Sequence, residues 1–247
     1  MSHTADINGL QLFYRDQGSG TPLLLLHGFM GTGDDWAHVF AAPLDGFRVI
    51  TPDLRGHGRS TNPSGVFRFA DVARDILALL DRLGIDRVKA IGMSAGANTL
   101  LHMATRQPSR IDALIHVSGT PRFPEPARAI MRSMSEDGRS EAEWTEMLRR
   151  HVHGDDQIRA LWRHARSFAD DYQDMNFDTA SLAAITARSL VVHGDRDPLY
   201  PVELAVELYR AIPASALWVV PNGGHIPIFG DQAGPFVTTA AAFFGAH

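Results

Sequence analysis

The pattern of apolar positions along the chain alternates between two periods. Short apolar runs at 10–14 and 23–26 read as the first strands, separated by the turn-prone Gln17-Gly18-Ser19-Gly20. Further runs at 49–51, 88–91, 113–117, 190–193 and 217–220 follow. Several are apolar without alternation, as strands covered on both faces of a parallel sheet must be. Between them lie segments of 3.6-residue period. In one, Phe69, Val72, Ile76, Leu79, Leu80 and Leu83 make a single apolar face, and Gly84 stands where the helix would end. Helices are also predicted over 95–106, 202–211 and 232–244. Strands alternating with helices imply an α/β fold, a doubly wound, mostly parallel sheet with right-handed crossovers, and such sheets bind ligands at the carboxyl ends of their strands.

The alternation stops over residues 121–185, where no strand pattern occurs and helical patterns run through 127–134, 142–152 and 157–168. The reading is a body of residues 1–120 and 186–247 interrupted by a helical lid at 121–185. The lid's Phe123, Met131, Trp144 and Trp162 are expected to line a pocket. Its other aromatic and methionine side chains can equally fasten it to the body.

Composition narrows the chemistry. The 247 residues are 45% hydrophobic and 21% charged, which fits a folded domain large enough to need no metal or disulfide staple. There is no cysteine, so thiolate metal sites, cysteine nucleophiles and redox pairs are excluded. Lys89 is the only lysine and lies in an apolar run, not in a glycine loop, which disfavours phosphate-loop and Schiff-base chemistry. The net charge is −5 with basic residues scattered among acids, so no nucleic-acid partner is expected. No apolar run approaches the roughly 20 residues of a membrane helix. No membrane partner is expected, and the N-terminus lacks the pattern of a signal peptide, so a cytoplasmic location is expected.

Gly92-Met93-Ser94-Ala95-Gly96 falls between a predicted strand and a predicted helix. Glycines flank the serine because a turn this sharp has no room for a Cβ on either side, and the hydroxyl is left exposed above a helix N-terminus. This nucleophile elbow resembles that of the α/β-hydrolase superfamily, in its lid-bearing serine esterase-like branch, and the resemblance covers nearly the whole chain outside the lid. It implies a chain order of nucleophile, acid and histidine. His193-Gly194-Asp195-Arg196-Asp197-Pro198 then supplies Asp197 as the acid, with Asp195 the second choice, and Gly224-His225 supplies the base. In His27-Gly28-Phe29-Met30-Gly31 the resemblance assigns the backbone N–H of Phe29, with that of Ala95, to an oxyanion hole. It makes Asp53-Leu54-Arg55-Gly56-His57-Gly58-Arg59-Ser60 mostly architectural.

Met30, Met93, Leu199 and Ile226 complete the expected pocket lining. His151 and His153, two residues apart, cannot share a helix face, so they are read as the solvated end of a lid helix; no metal and no cofactor are expected. The activity implied is cleavage of a small-molecule carboxylic ester or lactone through an acyl-enzyme on Ser94. The serine argues against the epoxide hydrolase and dehalogenase branches, whose nucleophile is aspartate. Carbon-carbon bond hydrolases of the meta-cleavage type, thioesterases and cofactor-free haloperoxidases or perhydrolases share the triad. The first of these would need a cation, for which Arg122, Arg128 and Arg132 are candidates. A ligand receptor that kept a hydrolase fold is the alternative of another class. A monomer or homodimer is expected.

Overall fold

Aliphatic runs without polar alternation need apolar cover on both faces, and the computed structural model, which describes residues 1–42 and 44–245, shows how they obtain it. The strands β1 (Ser2–Ile7), β2 (Leu10–Gly18), β3 (Thr21–Leu26), β4 (Phe47–Pro52), β5 (Val88–Met93), β6 (Ile111–Val117), β7 (Arg188–Gly194) and β8 (Ser215–Val220) join one sheet. Its order is β1-β2-β4-β3-β5-β6-β7-β8. Strands β3 to β8 pair in parallel, while β1 and β2 are antiparallel additions at one edge. Successive side chains of β3 divide between two cores. Leu24 and Leu26 face one, Leu23 and Leu25 the other.

The first core is closed by α1 (Phe69–Arg82), α2 (Ala95–Arg106) and α7 (Val202–Ala211). The second is closed by Trp36 and by Phe236, Ala240 and Phe244 of α8 (Ala233–Gly245). Helix α1 stops where expected. Gly84, at φ 65°, lets its N–H reach Asp81 and that of Ile85 reach Leu80, which satisfies carbonyls of the last turn. Strand β1 was not anticipated, because only Ala5 and Ile7 of its residues are buried and the rest are polar or exposed.

Between β6 and β7 the chain leaves the sheet through α3 (Glu125–Arg132), α4 (Glu141–Arg150), α5 (Asp155–Ser167) and α6 (Thr179–Ala183). The two ends of this excursion are stitched together. Arg122 and Asn176 form a bridge, and the Phe177 N–H donates to the Pro121 carbonyl at 3.0 Å. Helices α3 and α5 bury Ala127, Met131, Ile158, Leu161 and Ala165, whereas α4 buries no residue fully. Helix α4 therefore overhangs the body, with Trp144 and Met147 half-buried beneath it. Among the described residues no helix is long and apolar enough to cross a membrane.

Candidate active site

Ser94 sits at the corner between β5 and α2 with φ 50° and ψ −112°. A side chain at positive φ is strained by about 1–3 kcal/mol and persists only where the surroundings dictate it. They do so here, since the Ser94 N–H donates to Val117 at 2.8 Å and its carbonyl accepts from Asn98 at 2.9 Å. The flanking glycines are sterically required. A Cβ on Gly92 would lie 2.5 Å from the Gly96 carbonyl carbon, and one on Gly96 would lie 2.2 Å from the Leu26 carbonyl oxygen.

Two loops converge on this serine from the carboxyl ends of β7 and β8. They can touch because residue 194 is glycine, where a Cβ would come within 2.3 Å of the Gly223 and Gly224 carbonyl oxygens. The Ser94 hydroxyl donates to His225 Nε2 at 2.8 Å, and His225 Nδ1–H donates to Asp197 Oδ2 at 2.8 Å. The other Asp197 oxygen accepts from the Leu199 and Tyr200 N–H groups at 2.8 and 3.1 Å. Burial alone would push the Asp197 carboxyl up. The bonds from His225 and the two backbone donors outweigh it and hold the group below the usual carboxylate range. Asp195 is exposed and takes no part in this chain of bonds. The Tyr200 ring, which sequence reasoning missed, stands edge-on to the His225 ring at 5.2 Å.

The loop after β3 faces Ser94. His27 Nδ1–H donates to the Gly28 carbonyl at 2.7 Å, and its Nε2 accepts from the Leu54 N–H at 2.9 Å. Gly31 N–H also donates to the Gly28 carbonyl, at 3.0 Å. Among the described residues, neither the Phe29 nor the Ala95 N–H has a protein acceptor. The Asp53 segment is architectural. Buried Asp53 accepts from Gly33 and Arg59, and His57 Nδ1–H donates to the Arg55 carbonyl.

A cavity of about 710 Å³ opens above Ser94 and His225, lined by Met30, Met93, Trp144, Trp162 and Ile226 as expected. Met147 and Phe229 also line it. Met147 lies three residues beyond Trp144 on α4, so helical spacing from that tryptophan would have found it. Three expected residues are not in the lining. Phe123 and Met131 are buried in the first core, where Phe123 packs on Phe69, Phe168 and Tyr200, and Leu199 packs against the same core. Phe123 and Met131 fasten the excursion to the body, with α3 packed on α5, while Leu199 belongs to the body itself.

The lid arginines also need correction. Arg122 pairs with Glu207 at 2.5 Å, Arg132 pairs with Glu125 at 2.6 Å, and buried Arg128 donates to the Phe123 and Ala169 carbonyls. None reaches the cavity. The cations that do are Arg139 and Arg150, paired with Glu143 at 3.4 Å and Asp35 at 2.6 Å. His151 is not solvated but fully buried. Its Nδ1 accepts from the Gly58 N–H at 2.9 Å and its Nε2 lies 3.2 Å from the Met30 carbonyl oxygen. Among the described residues, no group of three or more His, Asp or Glu side chains is arranged to hold a metal ion.

A strand-elbow-helix serine reached by an acid and a histidine from the next two strand ends defines a hydrolase architecture, and the comparisons agree. The model of the alpha/beta hydrolase fold family matches residues 21–181, and the chain belongs to that family of hydrolases. Among curated relatives, a 2-hydroxy-6-oxononadienedioate/2-hydroxy-6-oxononatrienedioate hydrolase of Pseudomonas putida is 29% identical, over 87% of this chain and 85% of its own. A thermophilic esterase from Thermogutta terrifontis superposes with a TM-score of 0.75 at 26% identity, covering 98% of this chain and 96% of that one. The enol-lactonase of Burkholderia xenovorans superposes with a TM-score of 0.78 at 24% identity, covering 98% and 99% of the two chains.

Proposed function

We propose that this chain is a serine hydrolase that cleaves a small-molecule carboxylic ester or lactone through an acyl-enzyme on Ser94. The observation that carries the reading is His225, bonded at 2.8 Å both to Ser94 and to Asp197 at the floor of an apolar cavity. Ser94 Oγ attacks the carbonyl carbon while His225 Nε2 takes its proton. Asp197 holds the tautomer with Nδ1–H and stabilises the imidazolium that forms. The oxyanion of the tetrahedral intermediate meets the free N–H groups of Phe29 and Ala95, each donor being worth about 3 kcal/mol in hydrolases of this kind. Collapse of the intermediate expels the alcohol, which takes the proton from His225. Water, deprotonated by the same base, then releases the acid and restores Ser94.

The lining favours a neutral substrate. Trp144, Trp162, Met30, Met93 and Met147 dominate it, and both arginines at its edge carry carboxylate partners. This speaks for an ester or lactone over the dianionic dienoate of a carbon-carbon bond hydrolase.

A panel of short-chain and medium-chain p-nitrophenyl esters tests the proposal. The native chain is expected to turn over and Ser94→Ala to lose at least about a thousandfold in kcat. Turnover unaffected by that substitution would remove Ser94 from the mechanism. An organophosphonate is expected to add its mass at Ser94. Labelling without turnover of any ester would move the substrate to another carbonyl class, and neither labelling nor turnover would favour a receptor.

A further inference from the structure

Resting on the ester-hydrolase reading, we infer that His151, at the end of the overhanging helix α4, is a positioning residue that orients the Phe29 N–H through two relayed peptide units. The Gly58 N–H can only donate, so His151 Nδ1 presents its lone pair there, at 2.9 Å. A neutral ring then carries its proton on Nε2 and donates it to the Met30 carbonyl at 3.2 Å. Burial pushes the ring's pKa down to about 4, so this tautomer holds at neutral pH.

The Met30 carbonyl belongs to the same peptide unit as the Gly31 N–H, which donates to the Gly28 carbonyl at 3.0 Å. The Gly28 carbonyl in turn belongs to the same unit as the Phe29 N–H. In a trans peptide the C=O and N–H point in opposite directions. The Gly28 carbonyl is held from two sides, by the Gly31 N–H and by His27 Nδ1–H at 2.7 Å, and this aims the Phe29 N–H the other way. The series runs from His151 to Met30, Gly31, Gly28 and Phe29, and each bond polarises the next. Met30 needs such a hold, because its φ of 60° is a strained conformation for a side chain of its size. Arg150 next to it pairs with Asp35, and the Val152 N–H donates to Gly58, so α4 stays docked when the imidazole alone is changed.

Two near-isosteric variants separate positioning from mere packing. Asparagine places its amide oxygen where Nδ1 lies and keeps the Gly58 bond. Glutamine places its amide nitrogen where Nε2 lies and keeps the Met30 bond, leaving the Gly58 donor without a partner. His151→Asn is expected to retain stability but lose about tenfold or more in kcat, with KM changed by less than about threefold. His151→Gln is expected to be the less stable of the two and the faster. Hydrogen exchange at the Gly31 amide, followed by NMR, is expected to quicken in His151→Asn and not in His151→Gln. A His151→Asn enzyme within twofold of the native kcat, or one whose Gly31 amide keeps its protection, overturns the inference. So does a kcat order that simply follows stability. A native chain silent on every ester would count against the ester reading alone, and the exchange measurement would still decide this one.

Discussion

Asp197 and Asp195 are two residues apart in one loop, yet only Asp197 is buried against His225 and capped by two backbone donors. Asp197→Asn is expected to lower kcat by about 10⁴-fold, because an amide cannot hold the imidazole in the required tautomer, while Asp195→Asn stays within about twofold of native. Stopped-flow or steady-state ester kinetics on the folded variants decide it; the reverse order would reassign the acid. The elbow serine and the loop histidine were legible because steric crowding leaves a glycine signature, as at Gly92, Gly96 and Gly194. His151 was not, because nothing in a His-x-His spacing tells that a helix end will be buried against a loop about 120 residues earlier.

At the scale of elements, every strand read from its apolar run is present, and two helices begin and end where their period placed them, at Ala95–Arg106 and Val202–Ala211. The facing of the lid helices was not readable in the same way. A helical period says that α3 has an apolar side, not whether the body or the cavity receives it, and that choice falls to tertiary packing. Docking of the excursion also uses polar contacts that no periodicity encodes. The N-cap of α1, Arg68, gives no side-chain cap, and the helix's first N–H groups donate instead to Asp174, near the end of the excursion. Asp174→Ala is expected to destabilise the protein by about 1 kcal/mol, the usual worth of a helix N-cap. A urea midpoint unchanged from native would show that α1 finds other partners.

The whole molecule carries an unusual load of buried histidine. His27, His57, His116, His151 and His193 are all inaccessible to solvent or nearly so. Burial pushes His116 down to about 3, and His102 and His151 to about 4. In the unfolded chain these rings take a proton near pH 6.5, their ordinary value, and in the folded chain only near 3 to 4. Over that window the unfolded state binds more protons, so stability is full above about pH 6.5 and falls as the pH drops toward 4, by up to about 1.4 kcal/mol per pH unit for each ring. Urea midpoints at pH 7, 5.5 and 4.5 are expected to decline in that order, and His116→Gln to decline less steeply. A midpoint flat across this range would contradict the assignment.

The stitch between residues 121–122 and 176–177 gives the molecule a modular joint. The excursion leaves and re-enters the body at one point, so none of the strand ends that carry the triad passes through it. Closing a loop costs only slightly more as it lengthens, by roughly 0.6 kcal/mol for each doubling. Helix α4, which buries no residue fully, can thus be lengthened or trimmed while the triad below keeps its geometry. Substrate preference then travels with the side chains of α4 that face the cavity, while its His151 end stays tied to the oxyanion loop.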